Sequence, residues 1–138
     1  MQALLKRISL TLVIVLCSAM VLHAQDNTFT GAVDSNWDLA ANWSTGWPPS
    51  QHIYQKITIA ADCVLPASNT VHYAFHQGST LQIKVGVSFT NLGTGGWEMY
   101  GEIVNEGTYQ QTSFNSQGVF AQTGTFVGTL FNDGEITP

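Results

Sequence analysis

The amino-acid sequence predicts an all-β fold, and it favours a β-solenoid, a stack of short strands joined by tight turns. Polar and apolar residues alternate over 56–59 and again over 81–85, the two-residue period of a strand with one buried face. Shorter β-leaning segments bounded by Gly or Asn continue to the end of the chain. After residue 24, the best helical candidate is a short stretch at 36–42, so little helix is expected.

A repeated motif in the C-terminal half is the reason to favour the solenoid. Gly, any residue, two apolar residues, Asn, an acidic residue and Gly occupy 101–107 and recur 27 residues later at 128–134. Each rung of a solenoid turns at corners where Gly or Asn can adopt a positive φ. We therefore predict that six residues form rung turns: Asn91, Gly93, Asn105, Gly107, Asn132 and Gly134. Antiparallel hairpins in a β-sandwich use similar turns and are the alternative.

The chain divides into a leader and one domain with two regions. Lys6 and Arg7 precede an apolar run, and Leu22-His23-Ala24 follows it, so residues 1–24 are predicted to be a cleaved secretory signal peptide. A membrane span needs about 20 apolar residues, more than this run provides. We expect a secreted or cell-surface protein with no stable membrane span after leader removal. Residues 25–77 form a Trp-rich N-terminal region, and 78–138 hold eleven of the thirteen Gly.

Charge and cysteine content limit the partners. Beyond the leader only Lys56 and Lys84 are basic, against nine Asp and Glu residues. Nucleic acids and polyanionic sugars need clustered Lys and Arg, so neither is an expected partner. Cys63 is the only thiol left after leader removal, which excludes an internal disulfide; its apolar neighbours predict a small buried core residue.

A Trp-containing block resembles a known class of proteins. Trp37, Asn42-Trp43, Gly46 and Pro48 are followed by the alternating strand at 56–59. This order resembles the start of secreted bacterial surface proteins built on a right-handed parallel β-helix, of the pectin-lyase-like and adhesin kind. The resemblance implies that these five residues form a structural cap and that the protein serves adhesion or surface structure without catalysis.

The chain departs from that class at its C-terminal end. Such proteins continue for many more rungs, whereas this sequence stops at 138, on an uncapped rung. An uncapped rung exposes unpaired backbone donors and acceptors. The expectation is either end-to-end self-association, or attachment to another surface protein, or a truncated relative of a longer chain.

Exposed aromatic side chains are the candidates for ligand binding. A sugar ring stacks on a flat aromatic face while neighbouring polar groups bind its hydroxyls. We predict that Trp47, together with Trp97 or Tyr54, forms such a platform for a surface glycan. A carbohydrate-binding module is therefore the alternative to the adhesive or structural role.

Catalytic and metal motifs are weak in this sequence, and no cofactor or metal is predicted. Asp34, Asn36 and Asp38 begin like a calcium loop, but Leu39 and Thr45 stand where its Gly and Glu belong. His72 and His76 lie in a predicted strand, where about 13 Å would separate them, and His52 has no evident companion. The three glutamates that suggest a glycosidase are interpreted as solvated outward positions: Glu98, Glu102 and Glu106.

Overall fold

A computed structural model describes residues 25–138 of the chain. The predicted signal peptide, 1–24, lies outside the described residues, and for 113–115 and 131–132 only the backbone is described. The regular elements within the described range are one short 3-10 helix, Ala40–Asn42, and thirteen strands, which turns and loops connect. Their bounds are β1 Asn27–Phe29, β2 His52–Ile53, β3 Lys56–Ile59, β4 Cys63–Leu65, β5 Tyr73–Phe75, β6 Thr80–Ile83, β7 Ser88–Asn91, β8 Trp97–Met99, β9 Glu102–Asn105, β10 Thr108–Ser116, β11 Val119–Gln122, β12 Thr125–Asn132 and β13 Glu135–Thr137.

The all-β prediction is confirmed, and every pairing between these strands is parallel. One sheet has the order β1-β3-β6-β9-β11-β13, and we call it the first row. The other sheet has the order β2-β5-β8-β10-β7-β4, with β12 on β10. Parallel neighbours cannot be joined by a tight hairpin. The alternative of antiparallel hairpins therefore does not describe these strands.

The second sheet consists of two rows that meet in β10. The first part of this long strand pairs with β7 and its last residues pair with β8. The second row therefore contains β4, β7 and the first parts of β10 and β12, and the third row contains β2, β5, β8 and the last parts of β10 and β12. From β2 onward the chain visits the third, first and second rows in that order, repeatedly.

The register between circuits differs from the repeat predicted above. In the first row Glu102 pairs with Val119, and Val119 pairs with Glu135, so the circuits here are 17 and 16 residues long. The 27-residue offset is wrong as a structural register because Gly128 lies inside β12, while Gly101 precedes β9. The structural repeat is Gly-x-apolar-x-(Asn or Gln)-x-Gly-Thr-aromatic, at 101–109 and 118–126.

The predicted turn glycines lie between strands, but the prediction that they adopt a positive φ is wrong. Positive φ among the described residues occurs at Gly31, Gly46, Gly78, Gly86 and Gly128, and not at the predicted turn positions. Instead, the neighbouring circuit lies too close for a side chain. A Cβ on Gly107 would be 2.2 Å from the carbonyl oxygen of Val87, and one on Gly134 would be 2.0 Å from that of Gly118.

The predicted turn asparagines are the last residues of their strands. Asn91 is buried, and its Oδ1 accepts a hydrogen bond from the Gly93 N–H at 3.0 Å. Asn105 is fully buried, and its Nδ2 donates to the Thr125 carbonyl at 2.9 Å, in the next circuit. Asn132 ends β12, and its side chain lies outside the described residues.

Apolar side chains of equivalent positions stack on one another to form the core. Ile57, Leu81, Ile103 and Phe120 follow each other in register along the first row, and all four are essentially buried. Burying a side chain of this size contributes about 1.5–3 kcal/mol. The part of the chain described here has no helix with the length and apolar character of a membrane span.

The first prediction concerns Gly118. A Cβ at this position would lie 1.7 Å from the carbonyl oxygen of Gly101, so Gly118→Ala must separate two circuits. We expect a loss of about 3 kcal/mol in the free energy of unfolding, measured by urea denaturation. Thr123→Ala changes an exposed side chain and is the control, with an effect below about 0.5 kcal/mol. Equal stability of both variants would contradict the close stacking.

The second prediction concerns Tyr109, whose fully buried phenol donates a hydrogen bond to Gln111. Burial raises its pKa well above the ordinary value. The unfolded chain therefore ionises first as the pH rises, and the contribution of this group to stability is lost above about pH 10. We expect the free energy of unfolding to fall less steeply above that pH in Tyr109→Phe. Identical slopes in wild type and Tyr109→Phe would refute the assignment.

Candidate functional site

Of the three aromatic residues predicted to bind a sugar, two are exposed in the structure and one is buried. Trp47 and Tyr54 are 73% and 61% exposed, but Trp97 is only 7% exposed. The ring centroid of Trp97 lies 5.1 Å from that of Phe75 and 5.5 Å from that of Tyr73. The sequence prediction for Trp97 is therefore wrong, because its face packs in the core, where no ligand can stack on it.

The residues predicted to form a cap lie at the N-terminal end of the described chain. Trp37 and Trp43 are buried and pack edge to face, with ring centroids 4.7 Å apart. The indole N–H of Trp43 donates to the Trp37 carbonyl at 2.6 Å, and that of Trp37 donates to the Tyr73 hydroxyl at 3.1 Å. After them Gly46 adopts a φ of 76°, and Pro48 is half-buried.

Asn42 organises the loop that precedes these indoles. Its Oδ1 accepts the N–H groups of Val33 and Asp34, and its Nδ2 donates to Asp34 Oδ1 and to the Asn36 carbonyl. The Oδ1 atoms of Asp34 and Asn36 also accept the N–H two residues ahead, which forms two successive Asx turns. The side-chain oxygens of Asp34 and Asn36 thus accept hydrogen bonds from the backbone of their own turns.

Cys63 lies in the core, at 1% exposure. Burial raises the pKa of its thiol well above the ordinary value, and the negative charge of Asp38 adds to the effect. A thiol held in its protonated form is a poor nucleophile, so Cys63 is not a candidate for chemistry.

A groove of about 600 Å³ opens on the surface of the described residues. It lies where the chain enters four successive strands of the first row, and we call it the entry groove. Its walls come from four passes of the chain: 77–80, 100–102, 117–119 and 134–135.

Glycines form the floor of the entry groove. Gly101, Gly118 and Gly134 each precede paired residues of β9, β11 and β13, so they lie above one another. The close approach of the backbones excludes a side chain at each of them. At these three positions the groove is therefore lined by backbone alone, because the stacked circuits leave no room for a side chain.

Polar groups and one aromatic ring surround this floor. The outward row beside it contains Thr80, Glu102, Val119 and Glu135, which are neighbours in register. Tyr100, 40% exposed, also lines the groove, together with Gln77 and Gln117. Carboxylates, amides and an aromatic face are the groups that recognise hydroxylated ligands.

Glu98 binds Tyr100 by a hydrogen bond and also lies beside His72. The Tyr100 hydroxyl donates to Glu98 Oε2 at 3.1 Å, and the other carboxylate oxygen lies 3.3 Å from His72 Nε2. The hydrogen bond to Glu98 and the charge of that carboxylate raise the pKa of Tyr100, so its hydroxyl remains a donor. Glu98 thus restrains the ring that lines the entry groove.

The other glutamates of the suggested glycosidase do not face each other. Glu106 lies after β9, and its Oε2 accepts a hydrogen bond from Gln82 Nε2 at 3.0 Å. Glu98 lies in the third row, and Glu102 begins β9 of the first row. All three are partly exposed, as the interpretation of outward positions requires.

Sequence reasoning missed two features of this surface. The glycines of the entry groove recur at intervals of 17 and 16 residues, a signal that the 27-residue motif concealed. The pairing of β2 with β5 also brings His52 to His76, with Nδ1 and Nε2 3.2 Å apart. A separation of 24 residues with no intervening motif carries no such signal.

In comparisons with known proteins, no family model, curated protein or solved structure matches this chain.

The third prediction tests the loop around Asn42. Asn42→Ala removes four hydrogen bonds from a fully buried amide, and we expect a loss of about 2–3 kcal/mol in the free energy of unfolding. Asn36→Ala, at an exposed position with one Asx turn, should cost less than about 1 kcal/mol. Thermal and urea denaturation compare the two variants; a smaller loss for Asn42→Ala than for Asn36→Ala would contradict the role given to Asn42.

Proposed function

We propose that this protein is a non-catalytic, extracellular or cell-surface β-solenoid module, a short right-handed parallel β-helix that serves adhesion by binding a glycan in its entry groove. The observation that carries the binding role is the groove of about 600 Å³ with its glycine floor, polar rim and aromatic wall.

The strand pairing supports the solenoid. Successive circuits pair in parallel and visit the three rows in a constant order, as the rungs of a β-helix do. Their inward residues stack apolar on apolar, from Ile57 to Phe120. The surface-protein class proposed on the Trp block uses this architecture for display and adhesion.

The leader supports an extracytoplasmic location. Lys6 and Arg7, the apolar run and Ala24 have the order of a secretory signal peptide.

The chemistry of the entry groove favours a neutral glycan. Glu102 and Glu135 offer acceptors for hydroxyl protons, and Gln77 and Gln117 offer both donors and acceptors. Tyr100 offers a face on which the apolar side of a sugar ring can stack. An anionic sugar would meet two carboxylates and no Lys or Arg among the lining residues.

A second location for the same activity is the exposed indole of Trp47. At 73% exposure, this ring is the most accessible large aromatic surface among the described residues. It is held near β1, where its carbonyl accepts a hydrogen bond from Asn27 Nδ2 at 2.8 Å.

The fourth prediction distinguishes the two locations. A glycan array identifies the best neutral ligand, and isothermal titration then measures its affinity for wild type, Tyr100→Ala, Glu102→Gln and Trp47→Ala. We expect the affinity to fall at least about tenfold in the two groove variants, because each loses a direct contact, and to persist in Trp47→Ala.

The opposite pattern, with binding lost only in Trp47→Ala, would move the site to the N-terminal loop. Absence of binding to every glycan of the array would overturn the glycan-binding role and leave a structural role for the module. Circular dichroism of each variant shows whether the fold is retained.

A further inference from the structure

Two imidazoles face each other on the outer surface of the third row. His52 begins β2, and His76 follows directly after β5, which pairs with β2 in parallel. In this register His52 lies opposite Ala74, so His76, two residues further along, is its diagonal neighbour across the two strands. Diagonal neighbours are within reach of each other when their side chains are long or aromatic. The result is a distance of 3.2 Å between His52 Nδ1 and His76 Nε2.

That distance is the one between two nitrogen ligands of a single metal ion. With Zn–N bonds of about 2.0–2.1 Å in a tetrahedral site, two ligating nitrogens lie about 3.3 Å apart. The ring planes are inclined by 36°, and the His52 side chain is exposed. Shared coordination requires the His52 ring to turn until the lone pairs of both nitrogens point at one ion. In the absence of an ion, the same two atoms form a hydrogen bond whose donor is set by the tautomers of the two rings.

Tyr54 packs against one of the two histidines, His76. Its ring stacks on His76 with centroids 4.3 Å apart and planes inclined by only 5°. The stack restricts the rotation of His76 and so lowers the entropy cost of ordering this ligand. A bound cation also makes the imidazole more positive, which strengthens its attraction to the electron-rich face of the phenol.

We infer that His52 and His76 form a surface binding site for a divalent transition-metal ion, with Zn²⁺ as the representative ion. Imidazole is a preferred ligand of Zn²⁺, Ni²⁺ and Cu²⁺ and a poor one of Mg²⁺ and Ca²⁺. Among the described residues no group of three or more His, Cys, Asp and Glu side chains converges on one ion. The ion therefore keeps coordination positions for water or for a donor atom of another molecule.

The fifth prediction tests this site. Isothermal titration of the purified protein, prepared without a histidine tag, with ZnCl₂ at neutral to slightly alkaline pH should show one Zn²⁺ per chain, because neutral imidazole is the ligand. His52→Gln and His76→Gln should each weaken binding at least about tenfold, since each leaves a single ligand. In NMR spectra the side-chain signals of these two histidines should shift together as Zn²⁺ is added.

His72→Gln is the matched control. His72 is also exposed, and its Nε2 lies 3.3 Å from Glu98 Oε1, but it is not one of the two proposed ligands. Its substitution should leave the affinity for Zn²⁺ unchanged. Loss of binding in His72→Gln alone, or equal binding by wild type and the His52→Gln, His76→Gln double variant, would overturn the proposal. Glycan binding by the entry groove is measured in the absence of metal, so the two proposals fail or stand separately.

Discussion

Parallel pairing between successive circuits of the chain is the constraint on which the rest of this structure depends. It places each residue beside its equivalent in the previous circuit, as in the series Ile57, Leu81, Ile103 and Phe120. A single inward apolar residue then contacts partners above and below it, and a core forms from segments of three or four residues. Strands this short could not form a stable hairpin by themselves.

The same register that builds the core also shapes the surface. Where Gly101, Gly118 and Gly134 coincide, the backbones approach too closely for side chains, and the entry groove is lined there by backbone alone. Where side chains coincide they form rows, such as the polar row from Thr80 to Glu135 along the groove. Where outward residues of neighbouring strands meet, they form the pair of His52 and His76. The candidate sites are thus consequences of stacking and need no separate scaffold.

Aromatic residues divide between core and surface according to the direction in which their strand positions point. Trp97 begins β8 and points inward, where it contacts Phe75 and Tyr73. Tyr100 lies just after the same strand and points outward, where Glu98 holds its hydroxyl. Trp43 packs edge to face on Phe29, and Trp37 packs in the same way on Tyr73. The sugar-binding platform predicted from residue type alone therefore included two exposed rings, Trp47 and Tyr54, and one buried ring, Trp97.

The amino-acid sequence by itself determined the all-β class, because strand alternation at 56–59 and 81–85 is a local property of the chain. It also indicated where the chain turns, since Asn91 and Asn105 end strands and Gly107 and Gly134 lie between them. Only the tertiary structure decided which turns are equivalent, because the pairing of Val119 with Glu102 on one side and with Glu135 on the other depends on circuits of unequal length. The burial of Trp97, the entry groove and the meeting of His52 with His76 all follow from that register. Contacts between residues so far apart in the chain depend on packing, which a local pattern does not contain.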